Sequence, residues 1–186
     1  MHNIIELETR HLLLRQWKSE DYTLYAELTS NQDVMKFFPH ILTKEQSNTA
    51  AKKFENLITS RGWGFWAVEN KESNKFLGYA GLHVPATKFP FSPCIEIAWR
   101  VEDKYWRNGY VLEAGKEILR CSFEDLGLEE IVYFTSVLNH QAEVLMEELG
   151  MKNKEENFKH PSMPSGHDIE EHKLYRITKK EWIKFK

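Results

Sequence analysis

A short glycine turn at residues 106–110 lies between a strand pattern and a helix pattern, and it could bind a phosphate group. The turn is Trp106-Arg107-Asn108-Gly109-Tyr110. At the start of a helix the first backbone N–H groups have no partner inside the helix, and the helix dipole adds partial positive charge. A glycine also lets the backbone approach an anion closely. Because many glycines only turn the chain, the neighbouring elements must decide whether this turn is an anion site.

Those neighbouring elements are a strand, a helix and a second strand. Residues 95–101 alternate between apolar side chains and small or charged ones, which is the period of a β-strand. A helix pattern runs from Asn108, and Gly127 is well placed to end it. The second strand spans 131–136. A strand, a helix and a strand in this order predict a parallel crossover.

The rest of the chain adds helices and an antiparallel hairpin to this crossover. Thr43 and Gln46 match a capping box at the start of one helix, and Asn139 can cap another. Two aromatic-rich runs on either side of a polar segment favour a β-hairpin. The further predicted strands are 11–17, 65–69, 76–84 and 173–178. A hairpin combined with a crossover predicts a mixed sheet in an α/β domain.

The composition fits one folded domain and disfavours nucleic-acid binding. The chain has 186 residues, of which 41% are hydrophobic and 13% aromatic, so it can bury a substantial core. Its 25 basic and 28 acidic residues give a net charge of −3. A protein that binds a nucleic-acid backbone normally has a marked positive excess. We therefore expect no nucleic-acid partner, while a local pocket for one small anionic cofactor remains compatible with this charge.

The sequence also predicts a cytoplasmic protein. No run approaches the roughly 18 apolar residues of a membrane span. Residues 1–6 have neither the basic region nor the apolar region of a signal peptide. Cys94 and Cys121 lie in dissimilar contexts and are expected to be reduced thiols. We therefore expect no membrane association.

Several short motifs follow one another along nearly the whole chain, from about Leu7 to Tyr175. They are Leu7-Glu8-Thr9-Arg10, Leu14-Arg15, Asp33-Val34-Met35, Gly64-Phe65-Trp66-Ala67-Val68, Leu77-Gly78-Tyr79-Ala80-Gly81-Leu82, Tyr105-Trp106-Arg107-Asn108-Gly109-Tyr110, Glu113-Ala114, Asn139, Leu149-Gly150 and the strand from His172 to Tyr175. In this order they resemble the GNAT superfamily of N-acetyltransferases. The resemblance is closest to the Rim-type branch, the ribosomal-protein-alanine N-acetyltransferases.

The resemblance implies a GNAT fold. We expect an α/β (α+β) mixed sheet of about seven strands flanked by about four helices, with the fourth and fifth strands splayed apart. The splayed strands would be 95–101 and 131–136. The domain is expected to span 7–180, with an N-terminal tail at 1–6 and a C-terminal tail at 181–186.

The resemblance further implies that acetyl-coenzyme A is the co-substrate. Backbone amides at the glycine turn would bind the pyrophosphate, with added charge from the Arg107 side chain. The strand before the turn would hydrogen-bond the pantetheine arm, and Asn139 would touch its end. The residues assigned to the cofactor in this way are Ile97, Trp99, Val101, Arg107, Asn108, Gly109, Tyr110, Val111, Leu112 and Asn139.

Three residues depart from the family pattern. Val111 replaces the usual glycine or alanine. The larger valine would hold the backbone slightly further from the phosphates. Met146 stands where many members have a tyrosine that protonates the departing thiolate, and Ala142 stands where Rim-type members often have serine. The general acid is therefore unidentified.

In enzymes of this family the amine attacks the thioester directly, so no protein nucleophile is required. Glu96 is the candidate base, acting through a water molecule, and the alternative is that it is an exposed or ion-paired strand residue. Tyr175 is a weaker candidate acid, and the alternative is a core tyrosine. Near pH 7 about a tenth of a peptide α-amine is neutral, against less than about a thousandth of lysine side chains. A site with no evident acid–base pair therefore suits an α-amine or a weakly basic amine.

Three histidines near the C terminus raise the question of a zinc site. His160, His167 and His172 have no paired ligand spacing and no cysteine partner, so we expect no metal. The expected partner is an amine acceptor, either a protein N terminus or a small molecule, and the expected state is a monomer or a homodimer. The alternative function is a catalytically idle coenzyme A sensor or interaction module, which the departures at Met146 and Ala142 favour.

Overall fold

One mixed sheet of eight strands organises the computed structural model, which describes residues 3–186 apart from the side chains of Asp103 and Glu155. The strands are β1 Leu7–Glu8, β2 Leu12–Arg15, β3 Phe65–Asn70, β4 Lys75–His83, β5 Glu96–Val101, β6 Glu130–Ser136, β7 Lys152–Lys159 and β8 Glu171–Thr178. Their order across the sheet is β1-β2-β3-β4-β5-β6-β8-β7. Only β5 and β6 are parallel among the described neighbours. The predicted mixed sheet is confirmed.

Six helices in the described residues cover both faces of this sheet. They are α1 Asp21–Ser30, α2 Lys44–Arg61, α3 Asp103–Arg107, α4 Tyr110–Arg120, α5 His140–Glu148 and α6 Lys179–Phe185, with a π turn at Cys121–Asp125 after α4. Tyr79 of β4 packs on Phe54 of α2, with ring centroids 5.3 Å apart. The next residue, Ala80, lies with Val111 of α4 around a small void. Because neighbouring strand side chains point to opposite faces, α2 and α4 cover opposite faces of the sheet.

Local capping signals fix the start of two helices. The Thr43 side chain accepts from the Gln46 backbone N–H at 3.2 Å, and the Gln46 side chain accepts from the Thr43 N–H at 2.9 Å. This capping box begins α2 as predicted, and Gly62 ends the helix with a φ of 87°. Asn139 caps α5 in the same way, because its side chain accepts from the Ala142 N–H. Both predictions are confirmed.

A buried ion network joins β2, α1 and β3 at the edge of the sheet. The Arg15 guanidinium contacts Asp21 Oδ2 at 2.7 Å and Glu69 Oε2 at 2.7 Å. The Arg15 and Asp21 side chains are 6% and 1% exposed. Charges this well buried are tolerated only when they are paired and hydrogen-bonded. The network therefore fixes the position of α1 relative to the sheet.

Four elements of the structure are not predicted from the sequence: β1, β7, α3 and α6. β1 has two residues and α3 has five, which is too few for a repeating pattern of apolar side chains. β7 is an edge strand that pairs only with β8 among the described strands, and its sequence, KNKEENFK, is polar. An edge strand exposed to solvent does not need the apolar alternation by which strands are recognised.

The ends of the described chain contact the sheet and its helices. The Ile5 backbone N–H donates to the Gly62 carbonyl at 2.8 Å. In α6, Trp182 is 8% exposed and packs on Phe123 with ring centroids 5.4 Å apart. The domain limits of 7 and 180 stay a prediction, and residues 1–2 of the expected N-terminal tail lie outside the described residues. None of the described helices has both the length and the apolar character needed to cross a membrane.

Candidate active site

The sheet opens between its two parallel strands. β5 and β6 share one register pair in the described residues, Glu96 with Val132, next to a hydrogen bond of 3.0 Å from the Val132 N–H to the Ile95 carbonyl. From Ile97 to Val101, β5 pairs with β4 but not with β6. The predicted splay is therefore confirmed, since these are the fourth and fifth of the predicted strands. The edge of β5 that faces β6 is open to a ligand.

The glycine turn leads from this open edge into α4 and leaves backbone donors free. Gly109 has a φ of 75°, and no side chain caps the helix that follows. The first bond into α4 runs from the Glu113 N–H to the Gly109 carbonyl. Among the described residues, none accepts a hydrogen bond from the N–H groups at 110–112. Three adjacent donors at a helix start form an anion site.

The same turn is accessible to solvent. Arg107, Asn108 and Gly109 are all exposed. A Cβ atom added to Gly109 would have no neighbouring atom within 4 Å, so the space in front of the turn is clear. Val111 is 4% exposed and its side chain faces the sheet. The valine therefore does not cover the backbone donors.

A cavity of about 480 Å³ adjoins the gap between β5 and β6. It brings together the candidate base and three of the residues assigned to the cofactor: Glu96, Trp99, Val101 and Asn139. The side chain of Ile97 is fully buried and does not line the cavity, so it can contribute only through its backbone. Trp106 of the turn lines the cavity, whereas the cofactor residues from Arg107 to Leu112 lie beyond its lining, where α4 begins.

Glu96 lies half-buried in the wall of this cavity. It has no ion pair with any described residue. Burial raises the pKa of its carboxyl group to about 8, because the charged form loses hydration. A carboxyl group with this pKa can accept a proton near neutral pH, which a normal glutamate does poorly.

The positions where a thiolate acid is usual hold no proton donor. Met146 and Ala142 are both fully buried, and neither side chain carries an acidic proton. Asn139 lies at the start of the same helix, but its side chain already makes two hydrogen bonds. Its Oδ1 accepts from the Ala142 N–H at 3.4 Å and its Nδ2 donates to Thr135 Oγ1 at 3.0 Å.

Tyr175 and Tyr133 are register partners on neighbouring strands, but only one of them lines the cavity. Tyr133 lines it and stacks on Trp99, with ring centroids 4.9 Å apart and an interplanar angle of 10°. Tyr175 lies instead beside Glu143 and Glu147, and burial with these two carboxylates raises its pKa to about 12. Its role as an acid stays a prediction. Tyr133 was missed by the sequence analysis, because only the tertiary fold shows which strand tyrosine meets the gap.

Aromatic rings and two histidines form another part of the cavity wall. His160 and His172 approach to 4.8 Å between ring centroids and surround Phe134 together with Phe89. Burial lowers the pKa of His172 to about 4, so this imidazole is neutral at physiological pH. The described residues contain no group of three side chains able to hold a metal ion.

The comparisons with known proteins agree with this geometry. Residues 11–152 match the model of the acetyltransferase (GNAT) domain. The chain is 31% identical over 187 residues to FsC-acetyl coenzyme A-N(2)-transacetylase of Aspergillus fumigatus, covering 96% of this chain and 78% of that protein. It is 26% identical over 178 residues to the uncharacterized N-acetyltransferase YnaD of Bacillus subtilis, covering 96% and 99%.

Solved structures show the same fold. An acetyltransferase (GNAT family) from Bacillus anthracis has a TM-score of 0.77 at 25% identity, covering 95% of this chain and 99% of that chain. The ribosomal-protein-S5-alanine acetyltransferase from Vibrio fischeri has a TM-score of 0.75 at 18% identity, covering 96% and 98%. At that identity the second likeness concerns the fold alone.

Proposed function

Because this chain belongs to the GNAT acetyltransferase family, we propose that it moves the acetyl group of acetyl-coenzyme A to a primary amine inside the cavity between β5 and β6. The proposal rests on two positions. The uncapped start of α4 lies at one end of the gap, and Glu96 lies in the cavity beside the gap. An anion site and a candidate base are thereby held at the two ends of one open strand edge.

The residues along this path suit the donor molecule. The N–H groups at 110–112 would hold its pyrophosphate, as backbone donors at a helix start hold other phosphates. The open edge of β5, from Ile97 to Val101, would hydrogen-bond the pantetheine amides as a neighbouring strand would. Asn139 and Trp99 would contact the thiol end. The donor supplies an activated acetyl thioester, so the chain itself needs no nucleophile.

Glu96 would take the proton that the amine loses as it attacks the carbonyl carbon. In the reaction a C–N bond forms, the C–S bond breaks, and coenzyme A leaves as a thiolate that takes up a proton from water. A base works best when its pKa is close to the working pH, and the pKa of about 8 at Glu96 is close to the value near 8 of a peptide α-amine. This match supports an α-amine, of a protein N terminus or of a small molecule, over a lysine side chain.

We extend the proposal to a Rim-type acceptor, a protein N-terminal α-amine. The order of the sequence motifs supports it. The relative from Aspergillus fumigatus is named for transfer to an N(2) position, which supports a small amine instead. Cys94 and Cys121 are free thiols, which fits action in the reducing cytoplasm.

The direct test is thiol release from acetyl-coenzyme A with a panel of N-terminal peptides and small amines. We expect turnover with at least one α-amine, and a large loss of kcat in the Glu96→Gln variant. The burial of Met146 and Ala142 favours the second candidate, an idle coenzyme A sensor. That function predicts a rise in Tm with coenzyme A and no acetylated product, so product above the uncatalysed background would exclude it.

A further inference from the structure

Arg100 extends from β5 into the cavity and has no carboxylate partner among the residues that the structure describes. Its Nη1 donates to the Tyr25 hydroxyl at 3.1 Å, and its guanidinium carbon lies 3.9 Å from the centre of the Phe38 ring. Its Nε is buried and has no hydrogen-bond partner among the described residues. The side chain is half-buried and lines the same cavity as Glu96.

This arrangement differs from that of other arginines in the sheet. Arg15 contacts Asp21 and Glu69, and Arg176 contacts two glutamates. A guanidinium that is partly withdrawn from water costs free energy unless its donors are used. Its planar set of donors matches a carboxylate or a phosphate closely. An unpaired arginine in a cavity wall therefore points to an anionic group of a ligand.

The face of the sheet identifies which ligand carries that anion. Arg100 is the register partner of Tyr79 and contacts Tyr25 of α1, so it lies on the face covered by α1 and α2. The start of α4, where the donor phosphates would bind, is on the opposite face, together with Trp99 and Val101. The anion at Arg100 therefore comes from the acceptor.

We propose that the acceptor carries a carboxylate, which Arg100 binds while Glu96 receives the proton of the amine; this rests on the proposed acetyl transfer. The two side chains lie on one face of β5, four residues apart, so their Cα atoms are about 13 Å apart. The two side chains span part of that distance, and the acceptor must bridge the remainder through a hydrogen bond at each end. An α-amino acid holds both groups on one carbon, whereas two extended residues span about 7 Å. The acceptor class is therefore a peptide N terminus with a carboxylate on its second residue, either a C-terminal group or a side chain.

The test compares acceptors that differ only in the carboxylate. With wild-type protein, kcat/KM for Ala-Ala should exceed that for Ala-Ala amide by about ten- to a hundredfold, as expected for a charge-assisted hydrogen bond. In Arg100→Met this ratio should fall to about one, with the KM for acetyl-coenzyme A unchanged. Alanine and its amide should show little difference. A third arm, Ala-Asp amide, separates a side-chain carboxylate from a C-terminal one.

Arg61→Met is the matched control. The Arg61 guanidinium also stacks on an aromatic ring, 3.8 Å from the centre of Trp63, but it does not line the cavity. This variant should keep the preference for Ala-Ala. Equal kcat/KM for Ala-Ala and its amide in active wild-type protein would overturn the inference about Arg100 but not the proposed acetyl transfer. A change in the KM for acetyl-coenzyme A in Arg100→Met would also overturn that inference.

Calorimetry separates this inference from the proposed function. Ala-Ala titrated into the protein with coenzyme A should bind about tenfold or more weakly to Arg100→Met than to wild type. Absence of turnover with every amine would refute the acetyl transfer, while the calorimetric comparison would still decide whether Arg100 binds a carboxylate. Equal affinity in the two proteins would overturn the inference.

Discussion

Replacing Glu96 by glutamine keeps the shape of the side chain and removes its ionisable group. With a pKa of about 8, about a tenth of the carboxyl groups are ionised at pH 7 and about nine tenths at pH 9. If the carboxylate is the base, its ionised fraction multiplies kcat/KM. Loss of a general base lowers rates by about 10²- to 10⁴-fold, so Glu96→Gln should show at least that deficit at pH 9. The deficit should shrink by about tenfold for each pH unit below 8.

The slope of the pH profile of kcat/KM also tests whether Glu96 is the base. This slope does not depend on the concentration of active protein. The α-amine of the acceptor also has a pKa near 8, and kcat/KM reports ionisations of the free enzyme and the free substrate. Below pH 7 the logarithm of kcat/KM should therefore rise with a slope near 2 in wild type and near 1 in Glu96→Gln. The assay is thiol release between pH 6 and 9.5 with one N-terminal peptide amide.

Glu113→Gln is the control for this experiment. The Glu113 carboxylate lies in the first turn of α4 and accepts from the backbone N–H and Nδ1 of His11, each at 2.7 Å. We expect this variant to keep the slope near 2. Identical slopes in wild type and Glu96→Gln would refute the role of Glu96 as the base, whatever the absolute rates.

Three further predictions concern binding and stability. Gly109→Ala and Gly127→Ala each place a side chain at positive φ with open space around it, so each should cost about 1 kcal/mol in denaturation. Only Gly109→Ala should raise the KM for acetyl-coenzyme A, and an equal rise in both would contradict the anion site. Asp21→Asn leaves a buried arginine short of one charge partner and should destabilise the fold by about 3 kcal/mol or more. Glu8→Gln, at an exposed ion pair, should cost much less, and similar losses in urea titrations of the two variants would refute this difference. The pKa of Glu96 is raised from 4.5 to about 8, so between these two pH values the folded state binds a proton that the unfolded state has lost. Wild type should therefore lose stability relative to Glu96→Gln as the pH rises from 4.5 to about 8. Denaturation of both proteins at about pH 4 and at about pH 8 measures this difference.

Elements whose signals are local could be predicted from the sequence. Thr43 and Gln46 form the predicted capping box, and Asn139 begins α5 as predicted. The β3–β4 hairpin and the β5–α4–β6 crossover follow from alternation and short connections. These signals involve residues within a few positions of one another, so tertiary contacts do not override them.

The edges of the fold could not be predicted, because their stability comes from partners distant in sequence. β7 is held by β8 and has no apolar face of its own. In α6 one buried residue, Trp182, packs on Phe123, and a single apolar contact gives no helical period. The sequence pattern therefore predicted fewer strands and helices than the structure contains.

Part of the candidate site also could not be predicted from the sequence. The alternation of β5 placed Glu96 and Arg100 on one face, but it could not show that no described carboxylate pairs with Arg100. That observation requires Tyr25, which is 75 positions earlier in the chain, and Phe38. Likewise, the strand pattern alone could not show that Tyr133 lines the cavity while Tyr175 does not.

The most direct measurement is a crystal structure of the protein with coenzyme A. We predict pyrophosphate oxygens within about 3.2 Å of the N–H groups at 110–112, pantetheine amides bonded to β5, and the sulfur between β5 and β6 beside Glu96. A nucleotide bound elsewhere, or a pantetheine arm that does not enter the gap between β5 and β6, would contradict the account.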